Sequence, residues 1–359
     1  DETVINSAST VDRTGLFNMT VTAEDTNALK NLTIVQKKNG TGAVTIRNIA
    51  YTTEQNESIV LTNLPHTNSS NTSVAVDGSA DGLYTYDITL TDFADKTHTI
   101  TRSVRFDTQA PSISVTKPVA DAWYSDGSFS PSGILTDTGS GAVNVYYAIT
   151  GTIDKPAAGA YESLAASNAW TFTKTVDTGL TTATPGNLYE GVWYLHLRAE
   201  DQVGNITDTA NAVTVKFNLD RGNPVVTEEV SGADGVGTGT AVPKRDLFSL
   251  NLGAMDTHAL ASLTVIQKKN GAGELTVYEN AGLSGTSFAP IVANLPYTSV
   301  GPNVSASTDG SDDGLYTYDI TLTDIAGKTH SITRSVRFDT KAPVVTIVSP
   351  ALDSWNGST

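Results

Sequence analysis

Residues 82–92 read GLYTYDITLTD, and residues 314–324 read GLYTYDITLTD again. Large and small, apolar and polar residues alternate here with period two. Tyr84, Tyr86, Ile88 and Leu90 fall on one side, and Leu83, Thr85, Asp87 and Thr89 on the other. That spacing marks a β-strand with one buried face, and the first set is predicted to point into a core.

The repetition extends outward from this strand. LTIVQKKNG at 32–40 returns as LTVIQKKNG at 263–271, an offset of 231 residues. THTITRSVRFDTQAP at 97–111 returns as THSITRSVRFDTKAP at 329–343, an offset of 232. Such a period is too long for one sandwich of about 100 residues and suits two. A second, different domain is therefore predicted between the copies, with strands around 113–117, 143–149, 169–176, 193–199 and 212–218. In its late strand Trp193, Leu195, Leu197 and Ala199 are read as inward, and Tyr194, His196 and Arg198 as outward. The start of this second domain also returns, because PVADAW at 118–123 matches PALDSW at 350–355. The order is A–B–A′ plus the first strand of a further B. The predicted limits are 1–107, 108–219, 220–339 and 340–359. The strand Val344–Val348, left without its sandwich, is expected to be unstructured or to pair with a neighbouring sheet.

Bulk properties agree. A chain of 359 residues suggests about three domains. The formal charge of −16 argues against nucleic acid and anionic lipid as partners, since both call for a basic face. The absence of cysteine excludes disulfides and thiolate metal sites. No run of about 18 apolar residues is present, so no membrane insertion is expected in this segment.

Within the F-strand region, Asp312-Asp313-Gly314-Leu315-Tyr316-Thr317-Tyr318 resembles the D-x-G-x-Y-x-C opening of an immunoglobulin F strand. Tyr318 stands where the disulfide cysteine would be, and Tyr84 and Tyr316 correspond to the corner tyrosine. Ala80 in A and Trp193 in B depart from that pattern and are expected to weaken the corner hydrogen bond. Asp201-Gln202-Val203-Gly204-Asn205 and the boundaries Asp107–Pro111 and Asp339–Pro343 resemble the loops and linkers of tandem bacterial Ig-like domains. The resemblance implies an all-β fold of tandem immunoglobulin-like Greek-key β-sandwiches in an elongated array. It also implies an extracellular, cell-surface setting of the adhesin or surface-layer kind.

Few residues carry chemistry. The five histidines form no H-E-x-x-H or related pattern and are read as surface residues. No G-x-S-x-G elbow or phosphate loop occurs, and no enzyme activity is expected. Trp123 with Tyr124 is a candidate sugar platform, although strand-end packing is the favoured reading for Trp123 and for Trp355.

One constellation stands out. In the Ig arrangement a linker meets the B–C and F–G loops of the domain ahead and the E–F loop of the domain behind. At the A/B junction this gathers Asp107, Asp137, Glu200, Asp201 and Asn205, with the E–F loop Asp77–Asp81 behind them. At the B/A′ junction it gathers Asp220, Asp256 and Asp324. Hard oxygen ligands on loops are what Ca²⁺ requires, and Ca²⁺ at the junctions is the cofactor expectation. Turn formation alone explains each acid singly but not their convergence.

These features favour a structural stalk segment of a surface protein. An alternative is an adhesive module that recognises glycan or host protein through the region where the copies differ, 48–63 against 280–294. Others are a surface-layer or filament subunit that assembles with copies of itself, and an accessory part of a secreted enzyme.

Overall fold

The fold comes from a computed structural model, which describes residues 9–166, 168–176, 187–231, 239–299 and 304–348. Two compact units divide the chain. One comprises Asp1–Ala122, Ser128–Thr175 and Val192–Asn218, and the other Trp123–Gly127, Val176–Gly191 and Leu219–Thr359.

The first unit opens with strands β1 (Thr10–Arg13), β2 (Phe17–Glu24), β3 (Leu29–Lys38), β4 (Thr41–Ala50), β5 (Asn56–Leu64), β6 (Gly82–Asp92) and β7 (Thr97–Phe106). They form a five-stranded sheet in the order β1-β7-β6-β3-β4, facing the pair β2–β5. Period-two alternation sets the core. Tyr84, Tyr86 and Ile88 are buried with Leu32, Ile34, Ile59, Leu61 and Phe106. Phe17 on one sheet meets Tyr86 on the other edge to face, with ring centroids 6.1 Å apart. Burying each such side chain contributes roughly 1.5–3 kcal/mol. Asn39 and Gly40 turn β3 into β4 with φ of 49° and 76°, the left-handed pair that a two-residue hairpin requires.

The corner hydrogen bond is not weakened by Ala80. Tyr84 Oη donates to the carbonyl of Ala80 at 2.8 Å, and Tyr316 Oη to that of Asp312 at 2.8 Å. The acceptor is main chain, so the side chain at that position does not matter.

The unit continues with β8 (Ser112–Lys117), paired with the strand Ser132–Thr136, which pairs in turn with Ala169–Thr171. Ala142–Thr150 pairs with both Glu162–Ala165 and Gly191–Asp201. The strand foreseen over 169–176 is two pieces, Ala169–Thr171 and Lys174–Val176, broken where Phe172 leaves the ladder to stack on Tyr147 at 3.7 Å. Trp170 is a core residue. It lies over Gly133, where a Cβ would come within 2.6 Å of the indole.

The outward reading of Tyr194, His196 and Arg198 needs correction. His196 is fully buried and Arg198 is 8% exposed. Both faces of this central strand are covered. Thr150 and Thr214 bracket the imidazole, and Arg198 donates to the carbonyl of Thr207 and lies over the ring of Tyr161. His66 is also buried, its amide donating to Gln36 Oε1 at 3.0 Å.

In the second unit the repeat is visible strand by strand. Val242–Lys244, Thr329–Phe338, Gly314–Asp324, Leu260–Lys269 and Ala272–Asn280 pair in that order, as β1, β7, β6, β3 and β4 do. The opposing sheet differs. Phe248–Met255, the counterpart of β2, pairs with Ile291–Leu295 on one edge and with Val225–Val230 on the other. Among the described residues β2 pairs with β5 alone. Val344, Val345, Ile347 and Val348 are 77–90% exposed and form no strand.

Candidate metal centres

Two sets of aspartates form, one within each unit. Strand β7 ends at Phe106, and the next residue, Asp107, is fully buried, with its amide donating to the carbonyl of Arg13 at 3.0 Å. Its side chain turns to the loop after Ser132–Thr136, where the amide of Ser140 donates to Oδ2 and that of Gln109 to Oδ1. Asp137 lies in the same loop and accepts from the amide of Gly141. Asp201 closes the strand Gly191–Asp201 and is 2% exposed. Its Oδ1 accepts from the amides of Val203 and Asn205 at 2.9 and 2.8 Å. Asp107, Asp137 and Asp201 each bring a carboxylate oxygen within 4.8 Å of the others.

Burial pushes the Asp201 carboxyl above the usual range, and the charge of Asp107 adds to that. The amide donors of Asn205 and Val203 pull the other way. Asp81 stands behind, gripping Thr108 through its amide and hydroxyl at 2.9 and 3.0 Å. The repeat does the same, with Asp313 holding Thr340. The linker is thus clamped one residue after its aspartate.

Glu200 and Asn205 take other parts. Consecutive residues of a strand point to opposite faces. Glu200 therefore faces away from Asp201 and accepts from Tyr146 Oη at 2.6 Å and Asn144 Nδ2 at 2.8 Å. These donors hold its carboxyl below the usual range. Asn205 turns its amide nitrogen, not its oxygen, toward Asp201 and the linker.

The second set is more strained electrostatically. Asp220 is fully buried and Asp324 is 1% exposed. In each, one oxygen accepts a main-chain amide, from Gly222 at 3.0 Å and Lys328 at 2.8 Å. The other oxygen, Oδ2 in both, is buried without a hydrogen-bond partner. Asp256, whose Oδ1 accepts from the amide of His258 at 2.8 Å, brings a third carboxylate within 4.8 Å. Burial raises the carboxyls of Asp220 and Asp324. Asp256 raises both further, while nearby His258 pulls Asp220 down and the amide of Lys328 pulls Asp324 down. Unpartnered buried anionic oxygens cost several kcal/mol each unless a cation or proton meets them. An all-oxygen donor set on loops, with two orphaned oxygens, fits a hard divalent cation such as Ca²⁺.

Trp123 is half-buried, its ring 5.3 Å from that of His258, which leaves little free face for a sugar. Trp355 lies outside the described residues.

Residues 4–108 match the family model of a bacterial Ig-like domain. The match ends one residue past Asp107, and Asp137 and Asp201 lie beyond it. The near-identity of 314–343 with 82–111 extends the same kind of sequence to the later copy. No curated protein sequence matches the chain. Among solved structures, a tetra-tandem repeat from the extending region of a large adhesion protein is 16% identical, with a TM-score of 0.30 over 91% of this chain and 71% of that one. A Ca²⁺-stabilized adhesin with which an Antarctic bacterium reaches out and binds ice is 16% identical, with a TM-score of 0.30 over 95% and 74%. The FN1–FN3 domains of chicken CNTN1 are 9% identical, with a TM-score of 0.28 over 88% and 98%.

Sequence reasoning missed Glu190. The signal was present, since Glu190 precedes Gly191 as Asp81 precedes Gly82, and both glycines have positive φ, 129° and 153°. Glu190 Oε1 accepts the amide of Arg221, as Asp81 accepts that of Thr108.

Proposed function

We propose that this chain is a structural stalk segment of a bacterial extracellular surface protein, and that Ca²⁺ at its linker aspartates locks successive Ig-like domains, 1–107, 108–219 and 220–339, to one another. The observation that supports this reading is the pair of buried, unpartnered carboxylate oxygens on Asp220 and Asp324, beside Asp256. A turn needs one oxygen of an aspartate to accept an amide. It gives no reason to bury the other without a partner, next to two more negative charges. The first set repeats the plan with Asp107, Asp137 and Asp201. Asp107 and Asp220 would be the linker ligands, with the other acids supplied by loops. The cation would cancel repulsion that otherwise opposes closing each linker onto its loops.

Calorimetry on the whole chain tests this. Extracellular modules bind Ca²⁺ at about 10⁻⁴–10⁻³ M, so millimolar Ca²⁺ should give measurable heat. At tenfold excess over Kd each site should add about 1.4 kcal/mol of stability. Asp137→Asn should remove one site and Asp324→Asn the other. No heat at millimolar Ca²⁺, with melting temperatures equal in calcium and in chelator, would overturn the reading.

A further inference from the structure

We propose that Glu190, Asp220 and His258 form a distinct site for a transition-metal dication of the Zn²⁺ class, overlapping the all-oxygen set at Asp220. The inference deepens the calcium reading at that one residue, but it stands on Glu190 and His258, so the two can fail separately.

The three side chains each offer a ligand atom within 4.8 Å of the others. His258 Nδ1 lies 3.4 Å from Asp220 Oδ1. Asp220 supplies the independent observation: the residue is fully buried and its Oδ2 has no hydrogen-bond partner. Beside the cluster, an open cleft of about 550 Å³ has Glu190, Arg221, Asp256 and Thr257 on its walls. The cleft opens Glu190 and the residues next to Asp220, Arg221 and Gly222, to solvent.

Chemistry separates the two sets. Ca²⁺ takes six to eight oxygens and gains little from an imidazole. Zn²⁺ and its neighbours bind imidazole nitrogen together with carboxylate oxygen, and three protein ligands leave a fourth position for water.

Comparison among the copies shows that the histidine is particular to this place. Asp137-Thr138-Gly139, Asp25-Thr26-Asn27 and Asp256-Thr257-His258 occupy equivalent turns. In the first set Asp81 and Asp107 stand where Glu190 and Asp220 stand here, yet Gly139 faces Asp107 where His258 faces Asp220. The corner acid and the linker acid recur; only the second unit adds the nitrogen. Trp123 packs against the imidazole with ring centroids 5.3 Å apart, which fixes the ring and provides a reporter.

The test uses the full chain titrated with ZnCl₂, CaCl₂ and NiCl₂. Zn²⁺ should bind at one site, at least tenfold more weakly in His258→Gly and His258→Asn, while both variants keep the calcium heat. Asp256→Asn should show the reverse, losing calcium heat at this set and keeping Zn²⁺. Ni²⁺ should quench Trp123 emission, and the quench should vanish in His258→Asn and in Trp123→Phe, the latter still binding Zn²⁺. Zn²⁺ binding unchanged in both His258 variants would overturn the proposal. So would Zn²⁺ binding that survives Asp220→Asn, or no Zn²⁺ heat in the wild-type chain.

Discussion

The side-chain amide of Asn205 donates a hydrogen bond to the main-chain carbonyl of Asp107 at 2.8 Å, across 98 residues of sequence. The same nitrogen reaches Asp201 Oδ2, also at 2.8 Å. One amide therefore ties the linker to the loop and partly neutralises the acid beside it. Asn205→Ala should cost about 1–2 kcal/mol, the worth of a part-buried hydrogen bond and the group it leaves unpaired. Asn205→Asp should cost more in chelator, because it adds a fourth negative charge, and should recover in Ca²⁺. Urea unfolding in the two buffers measures both.

Gly139 packs directly on the Asp107 carboxylate. A Cβ there would fall 2.3 Å from Asp107 Cγ, a distance no carbon pair tolerates. Gly139→Ala must displace either the loop or the carboxylate, at a cost of about 1–3 kcal/mol. Because Asp107 then leaves the Ser140 amide, calcium binding at the first set should disappear. Calorimetry should show the second set unaffected.

The two copies of the repeated domain should differ in local stability. Leu250, Leu252 and Ala254 are 0%, 4% and 1% exposed, on the strand that Val225–Val230 extends at its edge. Their counterparts on β2 are Met19, half-buried, and Val21 and Ala23, 7% and 6% exposed. Glu228 of that added strand also pairs with the buried Arg334, whose counterpart Arg102 donates to the carbonyl of its neighbour Thr101. Among the described residues one edge of β2 is unpaired, and such an edge exchanges its amides readily. Hydrogen exchange on the whole chain should show β2 exchanging at least tenfold faster than Phe248–Met255. Equal protection would contradict the difference in pairing.

Much of the fold is legible in the sequence because alternation and an internal repeat are both one-dimensional signals. Tyr84, Tyr86 and Ile88 point inward as their spacing says. What alternation cannot reveal is whether the other face is covered, which is why His196 and Arg198 were read as outward. The acids Asp107, Asp137 and Asp201 were legible because a linker and two loops meet at one end of a sandwich. Glu200 was not separable from Asp201 by that scheme, which places loops and not side chains. His258 and Glu190 were invisible as partners, since 68 residues separate them and neither sits in a spaced motif.

The burial of His196 also sets a pH dependence. Thr150 Oγ1 lies 2.9 Å from Nε2 and Thr214 Oγ1 lies 3.0 Å from Nδ1, so both ring nitrogens are engaged without a carboxylate to favour the cation. Burial pushes the imidazole below its ordinary pKa. A contact with the Thr152 main chain opposes this, and the charge of Lys155 reinforces it. The unfolded chain therefore takes up the proton more readily than the folded one. His196 contributes stability that is fully present above about pH 6.5, the ordinary value, and that drains away as pH falls from there through the lower folded value. Each unit of depression is worth about 1.4 kcal/mol. Between pH 7.5 and 5.5 the wild-type chain should lose more stability than His196→Gln, a comparison in which the carboxylates cancel. An NMR titration should place the His196 ring below the ordinary value of about 6.5. A ring that titrates at or above 6.5 would show that water reaches it and that the outer face of the strand is open after all.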